Sequence, residues 1–297
     1  MIDAVDLWKA YGRFEALKGL SFSVPEGAAY ALVGANGAGK TTTIKLLMNM
    51  IETSRGTITV LDSDSRRLGP DQLARIGYVS ENQQLPGRLS VGEYLAYLRP
   101  FYPGWDRDLE AKMLRDYRLP TERRISRLSH GMRMKLALTC ALAYRPRLLV
   151  LDEPFSGLDA LVRDELAEGL LDQAGEMTIL ISSHELGEIE HFVTHVGFIE
   201  HGKLLFQQSM EDLSARVRAV RVTLGAAAAI PPAPPATWLD IRAAGAVLSF
   251  VDTDYAEDRL AADIRARLGE VRRVEAEPVD LRSIFKAYAR AAQREEA

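Results

Sequence analysis

Up to about residue 210 the chain alternates short, apolar, β-branched runs with stretches whose apolar positions recur at helical spacing. That alternation predicts strands joined by helices across a largely parallel sheet. Residues 2–8 and 20–24 read as strands, Pro25-Glu26-Gly27 as a turn, and residues 29–33 as a central strand because the run is apolar throughout. Further strands are expected at 75–79, 148–151 and 177–181, with a hairpin of 193–199 and 203–206 closing on His201-Gly202. Three apolar strands that each end in a polar loop point to one shared site.

Between Ser80 and Ser129 the pattern becomes helical. Ser90 and Glu93 have the spacing of a capping box, and Tyr94, Leu95, Tyr97, Leu98 and Phe101 continue the helix. A second helix over 106–117 carries Leu109, Met113 and Leu114 on one face, so residues 82–127 are expected to form a helical insertion. Val220, Val222 and Leu224 alternate like a half-buried strand, after which Ala226, Pro231, Pro232, Pro234 and Pro235 interrupt any regular element. Residues 225–236 therefore read as a linker or long loop. Beyond it a strand at 247–251 and helices at 257–268 and 279–291, the last showing Leu281, Ile284, Phe285 and Tyr288, suggest a small α+β module. The expected architecture is an α/β domain over 1–214 and a C-terminal accessory module over 215–297.

Composition narrows the classes. At 297 residues, 47% hydrophobic and 26% charged, the chain has the make-up of one large or two ordinary globular domains, which excludes wholesale disorder. A net charge of −4 gives no basic footprint for a nucleic-acid backbone, so no nucleic-acid partner is expected. The C-terminal module, with 13 Lys or Arg against 12 Asp or Glu from Ala215 onward, advertises no charged partner either. Cys140 has no second cysteine to pair with and sits in an apolar stretch, as a buried hydrophobe would. No window reaches the ~18 apolar residues of a membrane span, and Met1-Ile2-Asp3 opens no signal pattern. The expected location is the cytoplasm, with any membrane role reached through a partner.

The densest chemistry lies at Gly34-Ala35-Asn36-Gly37-Ala38-Gly39-Lys40-Thr41, directly after an apolar strand and before a helix expected to start near Thr42. Its glycines let backbone N–H groups turn inward, and the helix N-terminus adds partial positive charge, so the loop suits phosphate oxygens. Lys40 is expected on the β- and γ-phosphates and the Thr41 hydroxyl on Mg²⁺. Asp152 and Glu153 end the apolar run 148–151, the strand end at which open α/β sheets bind ligands. Asp152 suits a second Mg²⁺ contact, and Glu153 suits the water that attacks the γ-phosphate.

With these motifs in place the chain resembles the ATP-binding subunit of ABC transporters over residues 1 to about 210. Leu128-Ser129-His130-Gly131-Met132 resembles the family's signature sequence, Ser156-Gly157-Leu158-Asp159 its D-loop, His184 its switch histidine, and Tyr11 its adenine-stacking aromatic. The resemblance implies a P-loop NTPase fold with an ABC-type helical insertion, and ATP contacts on Tyr11, Gly34, Asn36, Gly37, Ala38, Gly39, Lys40, Thr41 and Thr42. It further implies that Ser129, Gly131 and Asp159 face the nucleotide of a second ABC ATPase subunit, identical or different, and that His184 senses the γ-phosphate. Ser129 is also a good N-cap, which with the helix dipole makes a second anion-binding end. Implied partners are transmembrane permease chains, docked on the insertion and holding the protein at the inner face of the membrane, with export the favoured direction. Residues 98–103, rich in proline and aromatics, read equally as a docking groove or a kinked helix end. The competing readings are a soluble ABC-type regulatory ATPase acting on a non-membrane partner, and a nucleotide-binding module with little hydrolysis.

Two departures from the family pattern stand out. Glu81 occupies the place where the family usually has a glutamine that touches Mg²⁺; its carboxylate is expected to reach the metal or its water as a third Mg²⁺ contact, and it adds negative charge beside the phosphates. His130 and Met132 replace the usual glycine and glutamine of the signature, which implies a weaker cross-subunit contact with ATP.

Overall fold

The structure is a computed structural model describing residues 1–172, 177–185, 187 and 189–295, with side chains described as far as Ala292. The chain divides into two compact units, Met1–Gln207 and Gln208–Ala297.

The first unit opens with β1 (Ile2–Tyr11) and β2 (Phe14–Val24), an antiparallel hairpin, followed by β3 (Ala29–Val33) and α1 (Lys40–Leu47). β4 (Arg55–Val60), β5 (Ser63–Asp64) and the short α2 (Pro70–Leu73) lead to β6 (Ile76–Ser80). The insertion holds α3 (Val91–Leu98) and α4 (Arg107–Asp116), after which come α5 (His130–Leu142), β7 (Leu148–Asp152), α6 (Ala160–Leu171) and β8 (Thr178–Ser183). β9 (His195–Glu200) and β10 (Lys203–Ser209) close the unit.

Two sheets result. One is antiparallel in the order β2-β1-β4-β5, and the other runs β10-β9-β3-β8-β7-β6 with β9, β3, β8, β7 and β6 in parallel register. Every residue of β3, β7 and β8 is buried, which is why these runs lack the polar alternation of a one-sided strand. β1 does alternate at its start, burying Ile2 and Ala4 and exposing Asp3 and Val5. Ile2, Leu7 and Leu20 of the hairpin, Ile44 and Leu47 of α1, and Val150 and Leu180 of the parallel sheet belong to one buried cluster, so both sheets and α1 share a core. The strand order sets β3, β8 and β7 side by side, and their C-terminal ends therefore open on one rim.

The second unit contains α7 (Met210–Arg216), β11 (Arg218–Leu224), β12 (Trp238–Ala244), β13 (Val247–Asp252), α8 (Glu257–Arg267), β14 (Val271–Pro278) and α9 (Leu281–Glu295). Its antiparallel sheet has the order β12-β13-β11-β14. Val222, Trp238, Leu248 and Phe250 pack with Leu260 and Ile264 of α8 in a core of their own. Trp238 stacks on Phe250 with ring centroids 3.9 Å apart, and the fully buried Asp252 is held by the Arg259 guanidinium at 3.0 Å.

Several boundaries differ from the sequence reading. The division falls after Gln207 rather than at 214, with α7 in the second unit. Residues 225–236 form a loop inside that unit, tied down by Gly225 N–H to Glu270 O and Ala228 N–H to Gly245 O, both at 2.7 Å. The helix after the phosphate loop starts at Lys40, not Thr42, and β9 begins at His195 rather than at 193, where the Val193 N–H donates to Ile189 O. β4, β12, β14 and α6 have no counterpart in the expected elements. β14 lies at an edge of its sheet and is half charged, which hides a strand from a hydrophobic pattern. Among the described residues no helix is long and apolar enough to cross a membrane.

Candidate functional site

The loop between β3 and α1 is shaped by what its glycines avoid. A Cβ at Gly34 would stand 2.1 Å from the Ile199 carbonyl oxygen, and Gly37 and Gly39 sit at φ 84° and 113°, in the left-handed region. Gly202 N–H donates to Ala38 O at 2.9 Å, anchoring the loop to the β9–β10 turn. Lys40, the first residue of α1, is 4% exposed. Its ammonium donates to Gly34 O at 2.7 Å and Ala35 O at 3.1 Å and pairs with Glu153 Oε1 at 3.1 Å. These partners account for all of its N–H groups, so a buried cation is fully satisfied at the lip of an anion-binding loop.

β7 delivers the carboxylates. Asp152 is buried and accepts from Thr41 Oγ1 at 3.0 Å and Ser182 Oγ at 2.7 Å. Burial pushes its pKa up, opposed by those two hydrogen bonds. Glu153 follows at φ 52°, a conformation that costs a non-glycine residue about 1–3 kcal/mol. The surroundings hold it there: its N–H donates to Ser182 Oγ at 3.0 Å, Oε1 meets Lys40, and Oε2 meets His184 Nδ1 at 2.7 Å. A carboxylate only accepts, so Nδ1 carries the proton in that contact and Nε2 is left for a second partner.

A second group of expected residues gathers at the starts of α5 and α6. Ser129 caps α5, its hydroxyl accepting from Met132 N–H at 3.2 Å, and Asp159 caps α6 by accepting from Val162 N–H at 3.0 Å. Gly131 lets the two helices close up, since a Cβ there would stand 2.9 Å from Val162 Cγ1. Glu81 N–H donates to Asp152 O at 3.0 Å, and Glu81 Oε1 accepts from Ser156 Oγ at 2.8 Å. Tyr11, at the end of β1, is 49% exposed with the Lys9 ammonium 5.1 Å from its ring centre.

The fold thus brings Lys40, Thr41, Asp152, Glu153 and His184 into one network. Among the described residues no hydrogen bond or ion pair joins Tyr11, Ser129, Gly131 or Asp159 to it. The sequence reading missed Ser182 as a participant. Its signal was a hydroxyl closing an apolar strand, and the parallel register that pairs Ser182 with Asp152 gives it a role. Residues 98–103 divide: Arg99 pairs with Glu110 and Tyr102 stacks on Tyr144 at 4.0 Å, while Phe101 remains 61% exposed.

The chain is similar to known proteins in sequence and in fold. The family model described as ABC transporter matches residues 17–156. The chain is 34% identical to the bacitracin transport ATP-binding protein BcrA of Bacillus licheniformis, over 73% of this chain and 72% of that one. It is 32% identical to the lantibiotic transport ATP-binding protein SrtF of Streptococcus pyogenes, over 71% of this chain and 92% of that one. A solved ATP-binding subunit of an ABC transporter superposes with a TM-score of 0.66 at 28% identity, covering 72% of this chain and 92% of its own. Fold and network together define a phosphate-loop ATPase of the α/β class. Within that class the chain belongs to the ATP-binding subunits of ABC transporters, which bind and hydrolyse ATP to energise a membrane transporter.

Proposed function

We propose that this chain binds ATP with Mg²⁺ at the Lys40–Glu153–His184 network and hydrolyses it as one of two paired cassettes driving transmembrane permease chains in export. The observation that carries the reading is Glu153, held at both carboxylate oxygens by Lys40 and His184 on strained backbone immediately after Asp152. The phosphate loop cradles the phosphate oxygens, and Lys40 exchanges its carbonyl partners for them. Glu153 orients the attacking water and takes its proton. While His184 Nδ1–H stays on Glu153, only a doubly protonated ring also donates from Nε2 to the γ-phosphate. Mg²⁺, when bound, neutralises developing charge on the phosphates.

The donor set suits that ion. Thr41 Oγ1 and Asp152 Oδ1 converge at 3.0 Å, hard oxygens that leave phosphate and water to complete the shell. Among the described residues no cluster of three or more His, Cys, Asp and Glu forms a metal cage without substrate. Glu81 is a third candidate oxygen donor in this reading, since its contact with Ser156 engages Oε1 and a carboxylate has a second oxygen to offer.

Ser129, Gly131 and Asp159 serve the partner cassette's nucleotide, identical chain or not. Tyr11 offers an exposed ring for adenine. Tyr97 and Phe101 support the insertion as the permease-docking surface: they are 59% and 61% exposed, with ring centres 5.4 Å apart. Docking there holds the protein peripherally at the cytoplasmic face of the membrane. Export is favoured by relatives named for bacitracin transport and linearmycin resistance. The second unit acts as an accessory module.

Replacing Glu153 by glutamine keeps the shape and removes the base. We expect Glu153→Gln to bind ATP as the parent does and to lose roughly 10²–10⁴-fold in kcat. Steady-state ATPase assays with nucleotide-binding titrations check this, and undiminished hydrolysis would overturn the assignment of Glu153.

A further inference from the structure

Two of the three positions at which the chain departs from the family pattern, Glu81 and His130, share one partner. Ser156 donates its hydroxyl proton to Glu81 Oε1 at 2.8 Å, and its carbonyl oxygen lies 3.2 Å from His130 Nε2. A carbonyl only accepts, so Nε2 carries the hydrogen and His130 is the donor. Glu81 is itself tied to Asp152 O through its own N–H at 3.0 Å. Glu81 therefore bridges Asp152 and Ser156, and Glu153 lies inside the bridged segment. Within it, Ser156 N–H returns to Glu153 O at 3.3 Å and Leu158 N–H to Phe155 O at 3.2 Å, while Phe155 is 2% exposed and anchors the turn in the core.

We infer that Glu81, Ser156 and His130 form an intrachain clamp on the Asp152–Ser156 turn, through which the start of α5 positions Glu153. These are positioning residues: none of them touches the Lys40–Glu153–His184 contacts directly. Each half of the clamp leaves a distinct element, since Glu81 follows β6 and His130 opens α5, so the turn is held from two sides. The hydrogen bond to the Glu81 carboxylate is charge-assisted and the stronger of the two. The inference rests on the proposed function for its consequence. If Ser129 at the start of α5 faces the partner's nucleotide, a shift of that helix start reaches this chain's own Glu153 by way of the neighbouring His130 and Ser156. One chain then couples the two nucleotide sites by way of Ser156, held by two residues, Glu81 and His130, that depart from the family pattern.

The test uses the full chain and the variants Ser156→Ala, His130→Ala, the double variant, and Ser156→Thr. Hydrogen exchange at the Ser156 and Leu158 amides, measured without nucleotide, reads the clamp irrespective of catalysis. Both single alanine variants are expected to speed that exchange at least ~10-fold, with Ser156→Thr near the parent rate. In ATPase assays each alanine variant is expected to lower kcat about 10-fold with KM for ATP little changed. The double variant is expected to lose no more than about 10-fold, where independent effects would multiply to ~100-fold. Unchanged exchange in the alanine variants, or a Ser156→Thr that behaves as alanine, would overturn the clamp. So would multiplying kcat losses, or losses confined to KM. Failure of the underlying reading shows differently, as parent hydrolysis insensitive to Glu153→Gln.

Discussion

Ser182 has no side-chain role that its neighbours in sequence reveal, yet two parts of the site depend on its hydroxyl. It donates to Asp152 Oδ1 at 2.7 Å and accepts from Glu153 N–H at 3.0 Å, holding one residue's carboxyl in place and bracing the other's strained backbone. It is fully buried, so no water replaces a lost hydroxyl. Ser182→Ala is expected to destabilise the first unit by about 1–3 kcal/mol, the cost of a buried donor and acceptor left unmatched. Urea unfolding read at equilibrium checks it, and a midpoint equal to the parent's would contradict the role. The residues with distinctive local spacing, from Gly34 to Thr41, were legible because a tight turn before a helix constrains residue type position by position. Ser182 was not, because its importance comes from a register between strands some thirty residues apart.

At the level of elements, helix starts were the most legible features. Ser90 accepts from Glu93 N–H at 3.2 Å while Glu93 Oε2 accepts from Ser90 N–H at 2.7 Å, the reciprocal pair that their spacing implies. Asp106 caps α4 in the same insertion, accepting from Asp108 and Leu109 N–H groups at 2.9 Å. The Leu109 amide first, and then the Arg145 guanidinium, hold its carboxyl below the usual Asp value. A lowered native pKa means that the stabilisation is present above the unfolded value of ~3.9 and fades as pH falls through the native one. Asp106→Ala is therefore expected to lower the urea midpoint at neutral pH, with a smaller gap from the parent near about pH 3. A gap that persists undiminished in acid would show that the carboxylate's charge contributes nothing. In the second unit the strands at the sheet edges were the least legible elements. β12 and β14 bury few residues, because an edge strand has one neighbour and need not repeat an apolar pattern.

For the whole molecule, the two units have separate cores and should respond separately. Leu248 is fully buried between Val222 and the α8 residues of its cluster, and Leu248→Ala leaves a cavity in the second unit alone. The expected loss is about 2–5 kcal/mol. Calorimetry should show one transition moving down while the other, from the first unit, stays in place; a single transition that moves as a whole would mean the units unfold together.

What the sequence determined by itself was everything encoded in short windows: the parallel α/β pattern, the phosphate loop, the acid-ended strand, the helix caps, and the ordered motifs that mark an ABC cassette. Backbone conformation and side-chain period are local properties, and a dozen residues suffice to express them. Only the tertiary structure decided that Glu153 is gripped by Lys40 and His184, that Ser182 braces it, and that Glu81 and His130 meet on Ser156. It also decided that the chain divides after Gln207. Those outcomes depend on which strands lie side by side and in what register. Burial makes such contacts decisive, since each polar group on that rim must find its partner among residues distant in the chain.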